Sequence, residues 1–318
     1  MEIGSVSEIE RLEHILLPHP DSYWSDETIM SSYVDGKLED KVINRKRCDI
    51  SSLKGLLNAL ESYLKGEGVK TTSLYFYPKS GHCDVEEEDN IMILPCNPHY
   101  LSLSLRDYGI FTKKQFLYID GREEGDHGDS PRAFASAIKR KGIKTYKTDV
   151  EGGSFVSDGR FGILSEKFNG DFQKLLEWEF EEFLYLPDLN IHVDSLVSFL
   201  NKDTFIVNYD LVKQLETDLE WWGCRFDRIF DISKILKKEG YSEIKINDAY
   251  NDYNSFIVGS ILNLGDDKLV LTDPENEVEK KLVKEGFDIT NLNEFNLRTL
   301  IHCQAGLRCI TLPVKRNY

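Results

Sequence analysis

No apolar run in this 318-residue chain approaches the roughly 20 residues that cross a bilayer as a helix, so neither a membrane span nor a membrane partner is expected. The opening MEIGSVSEIERLEH lacks the basic stretch and apolar core of a secretory leader, and a cytoplasmic location is expected. Basic tracts are lacking as well. Asp and Glu number 55 against 39 Lys and Arg, a net charge of −16. Such a surface repels phosphate backbones, which argues against a nucleic-acid partner, and it mildly favours cationic small molecules. Cysteine is sparse: six residues, at 48, 83, 96, 224, 303 and 309, form no disulfide framework and read as reduced thiols. His82, Cys83, Cys96 and His99 lie close together in sequence. No CxxC or HxxxH spacing accompanies them, and no metal is expected.

What is present is an ordinary globular composition, 41% hydrophobic and 30% charged, in a chain long enough for a large core. Ile15-Leu16-Leu17, stopped by Pro18 and Pro20, reads as a strand. A helix is expected over SSLKGLLNALESYLKGEG, where Leu53, Leu56, Leu57, Leu60 and Leu64 recur at helical spacing. Strands TTSLYFYP and NIMILP follow, while 21–47 is left unassigned.

From Leu105 a pattern repeats, in which a polar residue or pair opens an apolar strand, a turn follows, and a second apolar strand returns. It recurs at 105–120, 151–168, 191–210 and 253–276. The run around Cys309 makes a fifth copy, with the strand near Ile15 as partner. Helices are expected between the copies, at 131–142, 171–184, 210–222 and 276–286. A period of about 40–60 residues is that of repeated supersecondary units, and a cyclic array would gather the strand openings at one face.

The residues at those openings are Arg106-Asp107, Glu151, His192 with Asp194, Asn254 and Cys309. Two apart in a strand, His192 and Asp194 point to one face. Taken singly, each has a plain alternative. Arg106-Asp107 reads as a structural ion pair, Glu151-Gly152-Gly153 as a turn, His192 as a surface histidine, and Cys309 as a small core residue. Together, a thiol, an imidazole and carboxylates suit nucleophilic attack on a cationic carbon.

In order, SEIERLEHILLPHP (7–20), LRDYGIF (105–111), EGGSFVSDGRFGILS (151–165), HVD (192–194) and GLRCITLPVKR (306–316) resemble the motifs of the guanidino-group-modifying, or pentein, superfamily. That superfamily comprises arginine and agmatine deiminases, dimethylarginine hydrolases and amidinotransferases. The resemblance implies an α/β fold, the five-bladed α/β propeller with pseudo-fivefold ββαβ repeats, as a single catalytic domain over 1–318. It implies Cys309 as nucleophile at the guanidinium carbon, His192 as proton shuttle, Glu151 orienting His192, and Asp107 and Asp194 clamping the guanidinium. No cofactor is implied. The implied ligand is a cationic guanidino small molecule or a peptidyl arginine, with homo-oligomerisation left open.

The implied activity is a hydrolase, a deiminase releasing ammonia through a covalent thiouronium. An amidinotransferase using the same residues is the first alternative, and a non-catalytic binding module of the same fold the second. Gln304 stands where arginine deiminases carry an arginine that grips the substrate's α-carboxylate, and Ile110 replaces the proline of agmatine deiminases. The substrate is therefore left open.

Overall fold

A computed structural model describes residues 1–4, 7–21, 27–34, 37–44, 50–78, 86–88, 90–96, 105–119, 130–148, 152–165, 182–186, 192–213, 229–246, 258–273, 277–292 and 306–317. The strands, in chain order, are β1 (Arg11–Pro18), β2 (Glu27–Val34), β3 (Lys37–Asn44), β4 (Lys70–Pro78), β5 (Glu86–Glu88), β6 (Ile91–Cys96), β7 (Gly109–Phe111), β8 (Gln115–Ile119), β9 (Lys144–Thr148), β10 (Phe155–Ser157), β11 (Phe161–Ser165), β12 (Glu182–Leu186), β13 (Val197–Asn201), β14 (Thr204–Asn208), β15 (Ser242–Ile246), β16 (Leu262–Gly265), β17 (Lys268–Leu271), β18 (Asp288–Asn291) and β19 (Leu312–Asn317). The longer helices are α1 (Ile50–Gly66), α2 (Ser130–Arg140), α3 (Ile229–Lys238) and α4 (Glu277–Lys284).

The fold is α/β with mixed sheets, and the same small sheet recurs. In β7-β8-β9, β10-β11-β12, β13-β14-β15 and β16-β17-β18 the first two strands are antiparallel and the last two parallel. Antiparallel neighbours join by a tight turn, whereas parallel neighbours need a crossover; α2, α3 and α4 supply three of these. Both chain ends build a fifth sheet on the same plan. There β19 runs antiparallel to β1 with Leu16 opposite Leu312, and β1 runs parallel to β4 after the α1 crossover. β6 and β5 extend this sheet, and β2 with β3 forms a separate hairpin within 21–47.

Helix–sheet packing supplies the cores. The leucines expected along α1 are all buried and face Leu12, Ile15 and Leu17 of β1. The helix ends as its last carbonyls are capped, Gly68 N–H donating to Lys65 O and Val69 N–H to Leu64 O, with Gly68 at φ +78. Under α2, Phe134 meets Phe116 edge-on at 5.2 Å between ring centres.

Two expectations are corrected. Residues 182–184, assigned to a helix, form the start of β12, paired parallel with β11 from Phe161 opposite Glu182. The sheet partner overrides local helix preference there, with Leu186 buried at the strand's end. The polar residues also do not open strands: Arg106, His192 and Cys309 stand in or beside tight turns that precede them. Leu105–Tyr108 and Gly152–Ser154 are single 3-10 turns, as is Val258–Ser260; Val193–Leu196 is one α-turn, and 307–310 is a turn before β19.

Candidate functional site

These five turns touch in a closed cycle. The amide of Arg106 donates to Cys309 O at 2.9 Å, and the amide of Arg308 donates to Gly259 O at 3.0 Å. Arg106 Nε donates to Gly152 O at 3.3 Å. Gly153 lies against the imidazole of His192, where an added Cβ would stand 2.3 Å from Nδ1. A Cβ on Gly259 would come within 3.9 Å of Asp194 O, joining the fourth turn to the third. Close approach is what fixes the glycines here: a Cβ on Gly306 would stand 2.4 Å from Gly259 O, and one on Gly152 2.2 Å from Arg106 O.

Cys309 is therefore set on the fifth turn of the ring and His192 and Asp194 at the third, with the Val258–Ser260 turn between them. Cys309 is 6% exposed and in no disulfide. His192 is half-buried, extended at φ −69 and ψ 138, just ahead of the helical turn. Its strand partnership with Asp194 is corrected, because Val193–Leu196 is helical and alternation does not apply. Asp194 is 0% exposed, and among the described residues neither carboxylate oxygen accepts a hydrogen bond. The backbone of Asp107 lies in the turn donating to Cys309 O, between buried Arg106 and Tyr108; its side chain is outside the described residues. So are Glu151, Asn254, Gln304, His82, Cys83 and His99, and Cys96 is placed by its backbone alone.

Sequence reasoning missed the charges behind the ring. Glu8 precedes β1 and is 7% exposed. Its Oε1 accepts from Arg106 Nη2 at 2.8 Å and from Arg308 Nη2. Arg308 is 5% exposed, donates from Nη1 to Ser198 Oγ at 2.5 Å, and holds Nε 3.9 Å from Asp194 Oδ2. The only sequence signal was a basic residue inside the apolar run beside Cys309. Arg106, expected as a partner for Asp107 or a site residue, donates to Glu8, Gly152 O and Phe155 O.

Burying a carboxylate without hydrogen bonds costs several kcal/mol unless a cation completes it. The arrangement thus places a thiol, an imidazole and a buried anion, with Arg308 as its cation at 3.9 Å, on one ring of turns. Among the described residues, no group of three or more His, Cys, Asp or Glu could hold a metal ion, and no helix is long and apolar enough to cross a membrane.

No protein-family model and no curated protein matches the chain. Solved structures do. SxtG, an amidinotransferase from Microseira wollei in the saxitoxin biosynthetic pathway, is similar with a TM-score of 0.66 at 13% identity, over 99% of this chain and 98% of its own. C. jejuni agmatine deiminase gives 0.58 at 16%, covering 99% and 96%. The N-terminal domain of ArgZ, a cyanobacterial arginine dihydrolase, gives 0.65 at 12%, covering 95% and 97%. All are penteins, enzymes acting on guanidino groups. At these identities the likeness is one of fold, and it agrees with the resemblance read from the motifs.

Proposed function

We propose that the chain is a cysteine hydrolase of a guanidino compound, built as a five-bladed α/β propeller in a single catalytic domain over 1–318. The ring of five turns and five repeated sheets supports the architecture. The observation that carries the chemistry is Asp194, fully buried, accepting no hydrogen bond among the described residues, and 3.9 Å from Arg308 of the Cys309 turn. A planar guanidinium, with paired N–H groups, supplies what that carboxylate lacks.

Asp194 and Asp107 clamp the guanidinium, and the bound cation favours the Cys309 thiolate. The sulfur attacks the guanidinium carbon. His192 protonates the departing nitrogen, the C–N bond breaks, and ammonia leaves a thiouronium on Cys309. His192 then takes a proton from water; the hydroxide adds, the C–S bond breaks, and the ureido product leaves. The sum is guanidinium and water in, urea derivative and ammonium out. Glu151 orients His192. No cofactor takes part in this scheme, the enzyme is expected in the cytoplasm, and the ligand is a small guanidino cation or a peptidyl arginine.

Amidino transfer is the second reading, favoured by the likeness to SxtG; an amine then replaces water in the second step. A panel of arginine, agmatine, methylated arginines and peptidyl arginine, scored for ammonia and ureido product with and without added amines, tests both. Ammonia without amine supports hydrolysis, and product only with amine supports transfer. Neither, from folded protein, would leave a non-catalytic binding module.

A further inference from the structure

The protein carries a guanidinium of its own beside a carboxylate assigned above to a guanidinium. Arg308 Nε lies 3.9 Å from Asp194 Oδ2. A shift of about 1 Å would bring it to the usual N–H···O distance of about 2.9 Å. Two other groups hold the guanidinium, Glu8 Oε1 accepting from Nη2 and Ser198 Oγ from Nη1. Among the described residues, Glu8 and Asp194 are the carboxylates within 4 Å of Arg308. Glu8 is itself held, by its amide donating to Ser157 O at 2.7 Å and by Arg106.

We propose that Glu8 is a positioning residue that restrains Arg308, an internal mimic of the substrate, and so keeps Asp194 open for a guanidino ligand. The proposal rests on the functional reading above. Charge-assisted hydrogen bonds are roughly twice as strong as neutral ones, so Glu8→Gln weakens the restraint while keeping its shape. Arg308 then moves onto Asp194, the remaining nearby anion. An internal competitor that holds Asp194 about nine-tenths of the time weakens apparent cation binding about tenfold.

The test alkylates Cys309 with chloroacetamidine, a planar cation, and with chloroacetamide, its neutral isostere. In both, the thiolate displaces chloride and forms a C–S bond, so the ratio of their rates reports the cation site apart from thiol reactivity. The wild-type ratio is expected well above that of the unfolded chain. Glu8→Gln is expected to lower it about tenfold, Ser198→Ala to lower it less, and Glu8→Gln with Arg308→Met to restore it. A structural role alone would slow both reagents together and would not be rescued by removing Arg308. A Glu8→Gln ratio equal to wild type, or a double variant as low as the single one, overturns the proposal and leaves the functional reading standing. If Glu8→Gln does not fold, Ser198→Ala decides, an unchanged ratio overturning the proposal. A wild-type ratio equal to that of the unfolded chain overturns both.

Discussion

Gly153→Ala puts the ring geometry under direct strain. The new Cβ would stand 2.3 Å from His192 Nδ1 and 2.7 Å from its Cγ, where ordinary contact starts at 3.4 Å. The imidazole must therefore retreat by about 1.1 Å, or the turn carrying Gly153 must move by as much. Overpacking of this kind costs about 1–3 kcal/mol of stability. A reacting group displaced by about 1 Å loses on the order of 100-fold in rate. The assay is turnover of whichever panel compound reacts, together with urea unfolding of the same preparation. Turnover is expected to fall by about two orders of magnitude with the fold retained. Gly66→Ala is the control: nothing lies within 4 Å of its added Cβ, and it is expected to leave turnover unchanged and stability equal or raised by about 0.5 kcal/mol. A Gly153→Ala protein as active as wild type would refute the placement of His192 against that glycine.

Asp194→Asn removes a buried charge that no hydrogen bond compensates, so the thermal midpoint is expected to hold or rise while binding of guanidino compounds weakens about 30-fold or more by calorimetry. A lower midpoint together with intact binding would count against Asp194 as a cation clamp. His14 is buried against Thr72, and burial, with Lys70 assisting, holds its imidazole down to about 4 from an ordinary 6.5. Because the folded value is the lower one, stability is full above about pH 6.5 and is lost as pH falls towards 4. The expected loss between pH 7.5 and 5 is about 2 kcal/mol by urea unfolding, absent in His14→Gln, and an acid limb as steep in that variant would sink the assignment.

The local parts of this structure were legible in the sequence because their cause is local. Leucines at helical spacing announced α1, and the Ile15 and Cys309 runs announced the strands that pair as β1 and β19. The turns look like strand openings in the sequence, because contact with the neighbouring turn decides their conformation and strand alternation says nothing of it. His192 and Asp194 share a ring through a helical turn, not through a strand face. The start of β12 looks helical in the sequence for a similar reason, since its partner β11 imposes the strand. Glu8 and Arg308 were illegible in a stronger sense. They are 300 positions apart, and no periodicity or motif links a carboxylate before the first strand to an arginine before the last. The motif resemblance supplied Cys309, His192, Glu151, Asp107 and Asp194 as a set, whereas the buried charges behind them emerged only from the packing.

The central claim is that Cys309 forms a covalent bond to a guanidinium carbon. A reacting guanidino compound carrying 14C at that carbon, quenched in acid during turnover and followed by tryptic digestion, tests it most directly. The account predicts label on the peptide Cys309–Lys315 from wild type, and neither label nor turnover from Cys309→Ser. Steady turnover with no label on that peptide, or an active Cys309→Ser protein, would contradict it.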